Sequence, residues 1–237
     1  MKIFAISDLH LSINTNKPMN IFGPVWENHW EAISKDWIEK VTDDDIVLIA
    51  GDISWGMKLE EAIEDIKEIA KLPGQKIFTR GNHDYWWKSI SSIRNMLPKN
   101  CYALQNDSIK FGNYIICGTR GWTVPEANEQ TEEDKKIYDR EQIRLELSLK
   151  DAVSQRSEDD KLICMIHYPP FNSKTEDSPF TNLFEKYKVD KVIYGHLHGK
   201  GGRTLIELNK NGIDYYLTSC DKVFNKLVLI YDEINSQ

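Results

Sequence analysis

Five of the six histidines in this 237-residue chain follow short apolar runs closely, and four of these five stand within two residues of an aspartate, asparagine or glycine. Ile3 to Ser7 leads into Asp8-Leu9-His10, Ile46 to Ala50 into Gly51-Asp52, and Lys76 to Arg80 into Gly81-Asn82-His83-Asp84. Leu162 to Ile166 leads into His167, and Lys191 to Tyr194 into Gly195-His196-Leu197-His198. Singly, a D-x-H or an N-H-D is an ordinary turn or cap. Five such clusters after five apolar runs are a different matter. Side chains two apart in extended chain point the same way, so His196 and His198 can meet one ligand together, as can Asp8 and His10. Gly195, Gly199, Gly201 and Gly202 permit turns that bring the backbone close to a bound group. Carboxylate and amide oxygens with imidazole nitrogens, and no cysteine among them, suit a divalent ion such as Mn, Fe, Zn or Ni rather than a thiolate site. Asp8, His10, Asp52, Asn82, His167, His196 and His198 make seven candidate ligands. A catalytic zinc takes about three, so the set suffices for two ions that share Asp52.

The runs that carry these residues read as buried strands, joined by YIICG at 114 to 118. Between them lie helical stripes with apolar residues every three or four positions. These are Trp26, Trp30, Ile33, Trp37 and Val41; Leu59, Ala62, Ile63, Ile66 and Ile69; Tyr138, Leu145, Leu149 and Ala152; and Phe180, Leu183, Phe184 and Tyr187. Alternating strands and helices predict a layered α/β fold, whose open sheets gather ligands at the carboxyl ends of the strands. After Gly202 the pattern changes. Residues 204–209, 213–219 and 226–232 read as antiparallel strands, with Asn211-Gly212 as a hairpin turn. Two polar connections, 12–25 and 119–131, are long enough either to be functional loops or to run over the surface.

A hydrophobic share of 41% and a charged share of 28% fit one soluble globular domain over 1–237. The net charge of −7 argues against broad nucleic-acid binding, which needs many Lys and Arg contacts to phosphate. The start MKIFAISDLH has too short an apolar stretch for a secretory signal, and no run approaches a membrane span. Cys101, Cys117, Cys164 and Cys220 are scattered, as reduced thiols are. A cytoplasmic monomer is the expectation.

The ordered set Asp8-x-His10, Gly51-Asp52, Gly81-Asn82-His83-Asp84, His167 and Gly195-His196-x-His198 resembles the calcineurin-like metallophosphoesterases. The resemblance implies a central β-sandwich flanked by helices, with two divalent metals at the strand ends. It implies that Asp8, His10 and His198 hold one metal, that Asn82, His167 and His196 hold the other, and that Asp52 bridges. A phosphate ester would be cleaved by in-line attack of a hydroxide between the metals, with His83 as leaving-group acid and Asp84 orienting it. Bracing of Asn82 or Asp52 by His83 is the structural alternative.

The substrate is less legible. The protein serine/threonine phosphatase branch of the family continues its second motif with Val-Asp-Arg-Gly, whereas this chain has Ile53-Ser54-Trp55-Gly56. That points to a small-molecule or nucleotide phosphodiester or monoester. A nuclease, or a metal-binding scaffold without catalysis, are the rival readings. Arg120 is the better candidate for a phosphate contact, while Arg80 is expected to face away into a salt bridge. Tyr168 is placed to line the pocket or to shape the turn with Pro169 and Pro170. Trp55, Trp86, Trp87 and Trp122 lie near the motifs and could stack on a base. Burial preferences favour core packing, with Trp86 and Trp87 opening a helix. His29, near Trp26 and Trp30, reads as structural.

Overall fold

The computed structural model describes residues 1–15, 17–126, 130–199 and 205–233. Gly201 and Gly202, the first residue of the expected strand at 204–209, and positions 127–129 of the long connection lie outside the described residues.

Two sheets stack face to face. The first runs in the order β11 (Val228–Asp232), β1 (Lys2–Ile6), β2 (Ile46–Ala50), β3 (Gln75–Thr79) and β4 (Cys101–Ala103). The second runs β5 (Ser108–Phe111), β6 (Tyr114–Thr119), β7 (Lys161–Ile166), β8 (Lys191–Tyr194), β10 (Ile213–Leu217) and β9 (Glu207–Lys210). β1, β2, β3 and β4 are parallel, as are β6, β7, β8 and β10. The expected layered sandwich is therefore present.

The reason is readable in β2, whose five residues IVLIA are all buried. Ile46, Leu48 and Ala50 face the second sheet with Ile163, Met165 and Ile193, while Val47 and Ile49 face the helices α1 (His29–Lys40) and α2 (Leu59–Ala70). On the far side, Leu162, Cys164 and Ile166 pack under α4 (Glu132–Ser154) and α5 (Pro179–Lys186). Strands covered on both faces must be apolar throughout, and each fully buried Val, Leu or Ile contributes about 1.5–3 kcal/mol. A fifth helix, α3 (Ile90–Met96), precedes β4.

Several expectations need correction. Trp26 sits in a short 3-10 turn, Pro24–Trp26, and α1 begins only at His29. Trp86 and Trp87 precede α3 rather than open it, though both are buried in the core as burial preferences favoured. β4 and β5 had no apolar run long enough to announce them. The late strands do not stay together. β9 and β10 form the hairpin, with Asn211 and Gly212 at positive φ, but β10 is parallel to β8 and β11 crosses to pair antiparallel with β1. All four cysteines are free and buried. Among the described residues, no helix is long and apolar enough to cross a membrane.

Candidate metal centre

All seven candidate ligands leave the carboxyl ends of strands and meet where the two sheets abut. β1, β2 and β3 supply Asp8, His10, Asp52 and Asn82; β7 and β8 supply His167, His196 and His198. The chain turns hard to aim them. Asp8, His10, Asp52 and His196 all have positive φ, from 46° to 72°. That conformation is uncommon outside glycine and is held only where the surroundings impose it. Gly51, at φ 90°, has no room for a side chain: a Cβ there would lie 2.6 Å from His167 Nδ1. Gly81 likewise lets the third motif press against Asp52.

Ligand atoms of Asp8, His10 and His198 form one group, and those of Asp8, Asp52 and His167 another. His198 Nε2 is 3.2 Å from Asp8 Oδ1. Asn82 Oδ1 is 2.7 Å from His167 Nε2 and 2.8 Å from His196 Nδ1. Between the two halves stands Asp52, whose Oδ2 is 3.4 Å from His167 Nε2 and 3.7 Å from His10 Nε2.

These donors fit a divalent ion. Asp52 Oδ2 is buried and accepts no hydrogen bond, a costly state for a carboxylate oxygen unless a cation satisfies it. The tautomers are set from behind. His167 Nδ1 lies 2.9 Å from the Ala50 carbonyl, which can only accept, so the proton sits on Nδ1 and the Nε2 lone pair is left for a ligand. Asp221 Oδ1 does the same at His198 Nδ1, 2.9 Å away, and its Oδ2 accepts from Gly199 N. Without a metal the centre gathers protons. For His167, burial opposes charging, but the Asp52 and Asp8 carboxylates raise it to about 9. For His198, burial is likewise overcome, by Asp221 and Asp8, which raise it to about 10. Burial lowers His10 and His196 to about 4. Asp8 and Asp52 sit below the usual carboxylate range because the imidazoles facing them outweigh desolvation.

His83 is half-buried. Its backbone N–H donates to Asp52 Oδ1 at 2.8 Å, while its ring packs on Trp55 with centroids 4.7 Å apart. Among the described residues Nδ1 of that ring has no partner. The bracing role thus falls to the main chain.

Asp84 does not orient His83. Its carboxylate accepts from the backbone of Gly81, Asp52, Ile53 and Ser54, and from the Trp86 indole, at 2.7 to 3.3 Å. Burial, then Asp52, push it up to about 6 against the pull of these donors. The ionised form is the one that five N–H groups serve. Asp84 is the clamp that joins the second and third motifs.

Tyr168 lies over His196, with ring centroids 4.2 Å apart, and lines a 710 Å³ cavity shared with Phe171, Tyr194 and Leu197. Trp122 stands behind Tyr168 at 5.2 Å and carries the Arg120 guanidinium on its other contact, at 4.8 Å. Arg120 does not line that cavity; it borders a separate one with Arg80. On the opposite rim, Trp55 stacks on His10 at 4.9 Å and Trp26 lies 5.5 Å from His198. His29 is structural as expected, its ring nitrogens meeting the Trp26 and Leu9 carbonyls. From the sequence, Asp221 can reach the site from the late strands but nothing in its spacing favours that, and Trp26 reads as part of a helical stripe; both contact His198. Asp221 stands 23 residues from its histidine with no motif around it, so only the pairing of β8 with β10 in one sheet reveals the contact.

A family model described as calcineurin-like phosphoesterase matches residues 1–200, a span that contains every candidate ligand but not Asp221. Among solved structures, a protein of unknown function from Aquifex aeolicus is similar, with a TM-score of 0.49 and 15% identity over 96% of this chain and 95% of that one. No curated protein matches the sequence.

Proposed function

We propose a hydrolytic role from one premise: the chain belongs to the calcineurin-like phosphoesterase family. It is a metal-dependent phosphoesterase that acts on a small phosphate ester, a nucleotide or other small-molecule diester or monoester. Asp8, His10 and His198 hold one divalent ion, Asn82, His167 and His196 hold a second, and Asp52 is shared. Ions bound there supply charge neutralisation at the phosphoryl oxygens and activation of water for in-line displacement. This also accounts for anion binding by an acidic chain.

The carrying observation is Asp52 Oδ2, buried, without a hydrogen bond, and facing imidazoles of both halves. His83, tied through its backbone to the same carboxylate, is the group that returns a proton to the leaving oxygen, a role worth about 10²–10⁴-fold in rate. The organic part of the ester lies in the 710 Å³ cavity beside His196, within the roughly 300–1,000 Å³ of small-molecule sites. Among the described residues, Lys174 and the acidic Glu126 are its charged lining side chains apart from His196. Tyr168 is the ring that a base would stack on.

The test is metal content of the wild type and Asp52→Asn, with Mn²⁺-supplemented turnover of bis-p-nitrophenyl phosphate and p-nitrophenyl phosphate. About two ions per chain with turnover, both reduced in the variant, supports the reading. No metal and no turnover of either ester with any divalent ion refutes it.

A further inference from the structure

Arg80 is a half-buried arginine with its Nε shielded from solvent and, among the described residues, without a hydrogen-bond or ion-pair partner. The salt bridge expected for it is not there. A buried, unpaired guanidinium N–H is costly, and such groups in a folded protein call for a ligand or a strain-bearing role.

The surroundings identify the ligand. Arg80 borders a 120 Å³ cavity together with Lys88, Arg120 and Arg144, and among the described residues the one acid on its wall is Glu141. Glu141 is already committed. Its Oε1 meets Arg144 at 2.6 Å and Arg120 at 3.6 Å, and its Oε2 accepts from Thr119 at 3.0 Å. Four cations thus face a single occupied carboxylate. Burial, with Arg80 nearby, lowers the Arg120 guanidinium pKa against the pull of Glu141. Gln105, also on the wall, accepts the Trp87 indole N–H at its Oε1, which leaves its amide nitrogen to donate to another acceptor.

We propose that this cavity is a second anion site, built for a tetrahedral oxyanion of the phosphate class. Its volume holds about four waters at roughly 30 Å³ each. That is room for one phosphate and too little for a nucleoside. It shares no lining residue with the 710 Å³ cavity. It does open at the same edge of the sheets, since Arg80 follows β3 and precedes Gly81-Asn82, and Arg120 follows β6 while its carbonyl accepts from His167 N and Tyr168 N. The oxyanion has two sources, a distal phosphate on the substrate or free phosphate acting as an effector.

Calorimetric titration of manganese-loaded protein with inorganic phosphate tests the site itself, which stands apart from the hydrolytic reading. Two binding events are expected, one at the metals and one here. In Lys88→Gln, a change at an exposed side chain that makes no hydrogen bond or ion pair among the described residues, the second weakens by about tenfold. Arg144→Gln does the same and Asp52→Asn removes only the first. A single event in the wild type, or a second event indifferent to both cavity variants, overturns the proposal. The source is decided by turnover, an arm that does rest on the hydrolytic reading. If Lys88→Gln raises KM for a nucleoside 3′,5′-bisphosphate about tenfold relative to bis-p-nitrophenyl phosphate, the oxyanion is the substrate's own. If instead phosphate changes bis-p-nitrophenyl phosphate turnover at concentrations matching the second event, it is an effector.

Discussion

The two halves of the ligand cluster are built by different means. The half around Asn82, His167 and His196 is set into the junction of the sheets. His167 has no exposed side-chain surface and is held by a main-chain carbonyl of β2. In the half around Asp8, His10 and His198, Asp8 and His10 are buried and His198 alone reaches the rim. The His198 side chain is 32% exposed, and it is held by a carboxylate, Asp221, that follows β10. Its other support is aromatic, from Trp26 and Trp55. One position is therefore fixed by the strands themselves, and the other by side chains that can be changed without disturbing a strand. An inner ion should be retained and an outer ion should exchange.

The largest effect should come from the residue common to both halves. Asp52→Asn is expected to lower occupancy at both positions and to cut kcat by more than the roughly 100-fold typical of outer contacts to a metal ligand. Elemental analysis with kinetics reads both. Loss of one ion with the other held at wild-type strength would show that Asp52 is not shared, and would break the comparison at its centre. Asp221→Asn should instead separate the halves. The amide leaves His198 in place but weakens its orientation, so the outer ion is bound about 10–100-fold more weakly while the inner one is unchanged. Titration with a chelator should then remove one equivalent well before the other, a staging already present but shallower in the wild type. Equal weakening of both ions would mean that the rim and the interior act as one unit.

Asp84→Asn tests the clamp beneath both halves. An amide cannot accept all five donors, and leaving buried N–H groups unmet costs about 1–3 kcal/mol. For a chain of this size that lowers Tm by roughly 2–4 °C per kcal/mol. Thermal melts of the metal-free variant should show the loss. If Asp84 acted on His83 instead, the variant would lose kcat with its Tm intact.

The ligands were legible because chemistry and strand ends coincide locally. IVLIA announces a strand covered on both faces, and Gly51-Asp52 follows it directly. What escaped the sequence is nonlocal. Asp221 matters through a partner on a neighbouring strand end, and Asp84 through four backbone N–H groups whose position depends on the turn around Gly81. β4 and β5 were missed because short edge-side strands of three and four residues bury too little to leave a pattern. Trp26 fits the helical stripe in spacing, yet Pro24 and Gly23 hold it in a 3-10 turn before the helix. That displacement is what brings it to the rim.

The smallest effect, and the one that separates the halves without a mutation, is the pH dependence of the metal-free protein. His167 is raised to about 9 and His198 to about 10, each from an ordinary 6.5. A group whose pKa is higher folded than unfolded stabilises the fold fully below the unfolded value and loses that stabilisation as pH rises through the folded one. The metal-free Tm should therefore fall between pH 6.5 and 10. His167, wholly buried, carries most of the change, and the part from His198 is reduced by solvent screening at the rim. A total of about 1–2 kcal/mol over that window would move Tm by several degrees, at roughly 2–4 °C per kcal/mol. With ions bound, the Nε2 lone pairs are occupied and the slope should vanish, while metal affinity itself should weaken as protons compete at lower pH. Asp221→Asn should make the metal-free curve shallower across the whole window, and most completely above about pH 9 where His198 alone contributes, because it lowers His198 alone. Parallel curves for loaded and metal-free protein would mean that the histidines hold no extra protons, and that the carboxylates they face are satisfied in some other way.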